Sequence, residues 1–166
     1  GRPSGSDYQY TNKYNPNDAN CIRMPRMIFV HSHAFVDSDY VMRSMKKILF
    51  IEDEPALQTT LGDFLKTGGF SVSTASDGVS GLEMAKKEKP DLILLDLILP
   101  KKSGFDVLLE LRQDPKTAAI PVIVLTNLES AEDIDRALEA GARAYLVKTN
   151  YRLEEVMEKV KTLLGK

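Results

Sequence analysis

The chain has 166 residues, 43% of them apolar, which is about one domain's worth of sequence with enough nonpolar side chains to bury a core. Its 22 Lys and Arg nearly balance 24 Asp and Glu, for a net charge of −2, and no basic run marks a nucleic-acid or lipid-facing surface, so neither is the expected partner. A single cysteine, Cys21, excludes an intramolecular disulfide, the apolar runs are too short to cross a bilayer, and no secretory signal opens the chain; a cytoplasmic location is expected.

Before Leu49 there is no Leu and no Glu, while Asn, Tyr, Ser and Pro are frequent; beyond it the chain becomes rich in Leu, Glu and Lys. The boundary falls near Met45. Residues 1–44 show no sustained period apart from the apolar patch MIFVHSHAFV, and residue 1 is Gly where an intact gene product begins with Met. This segment reads as a flexible or non-native extension. His31 and His33 have the spacing of two ligands on one strand face, but no further Cys or His completes a metal site with them, and Cys21 lacks a scaffold that would activate its thiol. No chemistry is assigned to these residues.

From Met45 onward, strand patterns alternate with amphipathic helices. KKILFIE reads as a strand and EPALQTTLGDFLKTGG as a helix, with Pro55 in its first turn, Gly68-Gly69 at its end and Leu57, Leu61, Phe64 and Leu65 on one face. FSVSTA is the second strand, and DGVSGLEMAKKEKP the second helix, with Val79, Leu82 and Ala85 inward. DLILLD, apolar on both faces, is the third and central strand. SGFDVLLELRQD gives a helix packed through Phe105, Leu108 and Leu109, IPVIVLT the fourth strand, SAEDIDRALEAGA the fourth helix and RAYLV the fifth strand. RLEEVMEKVKTLLG closes the series with Leu153, Val156, Met157, Val160 and Leu164 at helical spacing. Such alternation predicts an α/β fold: a parallel five-stranded sheet with helices on both faces and ligands bound at the carboxyl ends of the strands.

Those ends are where the polar residues stand. The first strand ends in Glu52-Asp53-Glu54, the third in Asp96, the fourth in Thr126, and the fifth runs into Lys148. Asp96 follows the run DLILL, where an unpaired charge costs several kcal/mol or more. Clustered carboxylates need a cation among them, and oxygen ligands favour a hard divalent ion such as Mg2+. A carboxylate beside Mg2+ can attack a phosphoryl group, with a hydroxyl such as Thr126 and an ammonium such as Lys148 around the phosphoryl oxygens.

In order and at these spacings, ILFIEDE, DLILLDLILPKKSG, PVIVLTN and GARAYLVK closely resemble the receiver domain of two-component response regulators, over residues 45–165. The resemblance implies a flavodoxin-like strand order of 2-1-3-4-5 and phosphorylation of Asp96. It further implies Mg2+ held by Glu52, Asp53, Asp96 and the Ile98 carbonyl, with Thr126 and Lys148 touching the phosphoryl group. Tyr145 would be an aromatic switch that turns inward and remodels the face of the fourth helix, fifth strand and fifth helix. The implied partners are a sensor histidine kinase or phosphotransfer protein upstream and a protein bound at that face downstream. A turnover enzyme is not expected.

Five positions depart from the family's usual pattern. Glu52 is longer than the common Asp. Thr149 stands where many members have a cis proline, so a different loop is expected after the fifth strand. Asn127 replaces a small residue and is expected to narrow access to Asp96 or to donate a hydrogen bond there. Ile98 and Leu128 are apolar where a polar side chain would orient water, which predicts a slowly hydrolysing aspartyl phosphate. The chain ends at Lys166 with no helix-turn-helix or catalytic segment visible, which predicts either signalling through another protein or a receiver cut from a longer protein with an output domain. A flavin-binding electron carrier of the same architecture, a receiver-shaped module that is never phosphorylated and a metal-dependent phosphatase or nuclease are the rival readings. The acidic loop EDEPA, which would repel a flavin's phosphate, argues against the first of these.

Overall fold

A computed structural model describes residues 27–29, 35–37 and 45–165. The chain divides into two units, Gly1–Val41 and Met42–Lys166. In the first, β1 (Met27–Phe29) and β2 (Phe35–Asp37) pair antiparallel, with Met27 opposite Asp37 and Phe29 opposite Phe35. Part of the apolar patch is therefore a short two-stranded ribbon. Cys21, His31 and His33 lie outside the described residues.

The second unit runs β3 (Lys47–Ile51), α1 (Pro55–Thr67), β4 (Ser71–Ala75), α2 (Gly78–Glu88), β5 (Leu92–Leu95), α3 (Gly104–Gln113), β6 (Val122–Thr126), α4 (Ala131–Glu139), β7 (Ala144–Val147) and α5 (Leu153–Leu164). The strands lie in the order β4-β3-β5-β6-β7, all parallel, which is the predicted 2-1-3-4-5 arrangement of an α/β, flavodoxin-like sheet. Alternation along each strand sends side chains to two separate cores. Ile48, Phe50, Leu92, Leu94, Ile123 and Leu125 pack with Leu61 and Leu65 of α1 and Val156, Met157 and Val160 of α5. Leu49, Ile51, Ile93, Leu95, Val122 and Val124 pack on the opposite face with α2, α3 and Ala137 of α4. A strand reading LILL is therefore central because both of its faces are covered.

Three of the five helices start where a side chain caps them. Asp77, Ser103 and Ser130 each accept a backbone N–H from the first turn of α2, α3 and α4. Two inward assignments made from periodicity are corrected. Leu109 is exposed, because the buried stripe of α3 runs through Phe105, Leu108 and Leu111, three residues apart, and Leu109 falls one position off it. Val79 is exposed in the first turn of α2, ahead of the point where Leu82 and Ala85 reach the core.

α4 is attached differently from the other helices, burying only Ala137 fully. The Arg136 guanidinium lies over the Phe105 ring, 4.1 Å from its centroid. At the C-terminal end, Arg112 of α3 donates to the carbonyls of Ala118 (2.8 Å), Ile120 (2.9 Å) and Gly141 (3.0 and 3.2 Å). Gly141 has φ +98°, and a Cβ there would press against the Arg112 side chain.

Asp77 does more than cap. One oxygen accepts N–H bonds from Val79 and Ser80 at 3.0 and 2.9 Å, and the other meets Lys101 Nζ at 2.8 Å. The Lys101 ammonium first, then the Ser80 N–H, hold its carboxyl down from 3.8 to about 2. Folded Asp77 thus binds a proton less readily than unfolded Asp77, so its contribution to stability is full above about pH 4 and is lost as pH falls through about 2. Asp77→Asn keeps a cap but removes the charge. It is expected to melt below the parent at neutral pH and to converge with it in acid, which thermal unfolding across that range checks.

Candidate functional site

The sheet brings the strand-end residues together. Glu52 follows β3, Asp96 follows β5, Thr126 ends β6 and Lys148 follows β7, on four adjacent strands. Each backbone is tied in beyond its strand: Glu52 N–H bonds to the Ala75 carbonyl (2.9 Å), Asp96 N–H to Ile51 (3.0 Å) and Lys148 N–H to Thr126 (2.8 Å). The site is an extension of the ladder.

Glu52 is fully buried and Asp96 nearly so. Lys148 Nζ lies between their carboxylates, 2.6 Å from Glu52 Oε2 and 2.7 Å from Asp96 Oδ2. The second oxygens are held by backbone, Glu52 Oε1 by Glu54 N–H (3.2 Å) and Asp96 Oδ1 by Ile98 N–H (3.1 Å). Burial raises the pKa of Glu52 despite the opposing pull of Lys148. Burial acts to lower the pKa of Lys148, but its hydrogen bonds to Asp96 and Glu52 outweigh that and raise it. The ammonium is therefore firmly charged.

Glu52, Asp53 and Asp96 each place a carboxylate oxygen within 4.8 Å of the others, with Asp53 exposed. Three carboxylates against one ammonium leave two negative charges at an oxygen-only donor set, which fits a hard divalent cation. The Thr126 hydroxyl is completely buried and has no hydrogen-bond partner among the described residues. Such an orphan is costly, and here it is a donor without an acceptor at the edge of the acid cluster.

Tyr145 is half buried against the α2/α3 core, and its hydroxyl donates to the Leu128 carbonyl at 2.8 Å. Burial first, then the charges of Asp133 and Asp96, push its phenol up to about 12. Ile98 is 55% exposed beside the acids, Leu128 packs on the core, and Asn127 is exposed with no side-chain hydrogen bond among the described residues. After β7 the chain turns through Lys148–Asn150, with Asn150 N–H on the Val147 carbonyl (2.9 Å), and every described peptide bond is trans.

Sequence reading did not single out Gln58. Its side-chain amide, on α1, donates to the carbonyls of Glu52 and Ala75 and so fixes the tips of β3 and β4. The available signal is a polar side chain within the first turns of α1, next to the inward Leu57. Lys101 was also missed.

Comparison with known proteins now decides the family. The model of the response regulator receiver domain matches residues 48–161. The chain belongs to this receiver domain family. It is 42% identical over 120 residues to the DNA-binding dual master transcriptional regulator RpaA of Synechocystis sp., covering 72% of this chain and 49% of that protein. Over 104 residues it is 36% identical to Protein PilH of Pseudomonas aeruginosa, covering 63% of this chain and 86% of that one. Among solved structures, the receiver domain of a Pseudomonas aeruginosa sensor histidine kinase, with a magnesium ion coordinated in its active-site cleft, is similar at TM-score 0.68 and 28% identity, covering 74% of this chain and all of that one. The chain spans about half the length of most of the curated transcriptional regulators it matches.

The Lys148 ammonium is what allows two buried acids to stay ionised side by side. Lys148→Met is expected to cost about 3–5 kcal/mol at neutral pH, read by urea unfolding. Folded Glu52 takes up a proton more readily than unfolded Glu52, and Lys148 opposes this, so without Lys148 the uptake is stronger still and the variant gains more stability than the parent as pH falls. The deficit of the variant is therefore expected to shrink in mild acid.

Proposed function

We propose that this receiver domain accepts a phosphoryl group onto Asp96 from the phosphohistidine of a sensor kinase or phosphotransfer protein. The observation that carries this reading is the Asp96 carboxylate at the tip of the central strand, bonded to Lys148 and grouped with Glu52 and Asp53. An Asp96 oxygen attacks phosphorus, the new O–P bond forms as the P–N bond breaks, and the imidazole leaves with the electron pair. Glu52, Asp53, Asp96 and the Ile98 carbonyl would hold Mg2+, which supplies charge neutralisation between the acids and the incoming phosphoryl oxygens. Lys148 already rests on Asp96 and needs little movement to contact a phosphoryl oxygen. The Thr126 hydroxyl, which has no acceptor now, gains one there. The domain promotes its own modification and is not a turnover enzyme.

The output follows from the same atoms. A new charge of about −2 at Asp96 draws Thr126 toward it and biases the loop that follows, whose Leu128 carbonyl receives the Tyr145 hydroxyl. Tyr145 thus couples the site to the face of α4, β7 and α5, where a downstream protein is bound. No helix among the described residues is long and apolar enough to cross a membrane. A cytoplasmic setting, where sensor kinases present their phosphohistidine, suits this reading.

Incubation with a small phosphodonor and Mg2+ is expected to add one phosphoryl mass to the parent chain and none to Asp96→Asn, as read by intact mass spectrometry. No gain in the parent would refute the proposal. With Ile98 apolar and exposed beside Asp96, no polar side chain there orients an attacking water. Replacing Ile98 by Gln is expected to shorten the lifetime of the phosphorylated form on the order of tenfold, followed as loss of that mass after the donor is removed.

A further inference from the structure

The loop between β5 and α3 carries both Asp96 and the Ile98 carbonyl. Its two ends are fixed close to the sheet, through Asp96 N–H on the Ile51 carbonyl (3.0 Å) and Gly104 N–H on the Leu97 carbonyl (2.9 Å). A Cβ on Gly104 would run into the Asp96 carbonyl, so the loop closes on itself there. The middle is held differently. Lys102 N–H bonds to the Pro100 carbonyl at 2.7 Å, a tight turn across Lys101, whose φ is +64°. A side chain rarely adopts that backbone, and a three-residue turn with positive φ at its centre is a strained one.

Something must hold Lys101 in place. Its ammonium reaches 24 residues back along the chain to Asp77 Oδ2 at 2.8 Å, and Asp77 is a buried acid at the N-terminus of α2. The backbones touch at the same point: Gly78 N–H faces the Pro100 carbonyl at 3.4 Å, and a Cβ on Gly78 would strike the Lys102 carbonyl. Strained backbone persists only where its surroundings determine it, and here the surroundings are the Lys101–Asp77 pair, the adjoining Lys102–Glu110 pair and the Gly78 contact.

We propose that the Lys101–Asp77 pair is a clasp that sets the loop for metal binding, making Lys101 and Asp77 positioning residues for the cation at Glu52, Asp53 and Asp96. This rests on the Mg2+ reading above. Released, Lys101 relaxes from its left-handed backbone, and the Ile98 carbonyl, three residues upstream, shifts with it. Second-layer partners of this kind typically set metal affinity within one to two decades. Simple electrostatics points the other way for one variant: deleting a cation near the acids would strengthen Mg2+ binding.

The test is calorimetric titration of the full chain with Mg2+ alone. Lys101→Ala and Asp77→Asn, the latter keeping a capping side chain, are each expected to weaken binding about tenfold. Combined, they should weaken it no more than either alone, because both remove one interaction. Lys101→Gly accepts the positive φ without strain and so needs no clasp to hold the turn; it is expected to bind more tightly than Lys101→Ala. Lys101→Arg, which keeps the pair, is expected to bind like the parent. Unchanged or tighter binding by Lys101→Ala relative to the parent, no recovery in Lys101→Gly, or additive losses in the double variant would overturn the clasp while leaving the metal site standing. A parent chain that takes up no Mg2+ would overturn the metal reading, and the clasp with it.

Discussion

Two carboxylates, Glu52 and Asp96, are buried at the tips of neighbouring strands with one ammonium between them, and this ion triplet constrains the rest of the domain. In a low-dielectric surround each acid alone would be protonated or would disrupt the fold. Lys148 prevents that only if β3, β5 and β7 end at the same level, which requires a parallel sheet in this order. The sheet and the site are therefore one problem with one solution, and a sequence that satisfies the ion triplet has little freedom left in its topology.

Much of this was legible in the sequence because its signals are anomalies of side-chain type. An acid after an uninterrupted LILL run has few explanations, and the matching acids, hydroxyl and lysine at other strand ends select among them. The sheet order was carried by the motif resemblance, since alternation alone gives parallel strands but not their neighbours. What remained hidden has a common physical cause. Tyr145, Arg112 and Gln58 bond to backbone carbonyls, which every residue has, so no residue type marks the partner. Lys101 and Asp77 are unremarkable charges in separate loops until the fold sets them side by side. Leu109 was placed inward by hydrophobicity where the helix phase places it outward. Residues 1–44 offered no sustained period outside the patch MIFVHSHAFV, and only the short β1–β2 pairing is described there.

The layout also separates tasks by element. β3 and β5 deliver acids, β6 a hydroxyl, β7 an ammonium, and the loops that follow fix the acids, through the N–H of Glu54 on Glu52 and of Ile98 on Asp96. The charges come from the strand ends and their orientation from the loops.

The attachment of α4 has a mechanical consequence. With the guanidinium of Arg112 grasping the carbonyls around Gly141, and only one fully buried side chain along its length, this helix resembles a lever with its fulcrum at the C-terminal end. The opposite end adjoins the loop whose Leu128 carbonyl accepts the Tyr145 hydroxyl. A displacement of the β6 tip therefore enters the lever at the end farthest from its fulcrum, where the least force turns it.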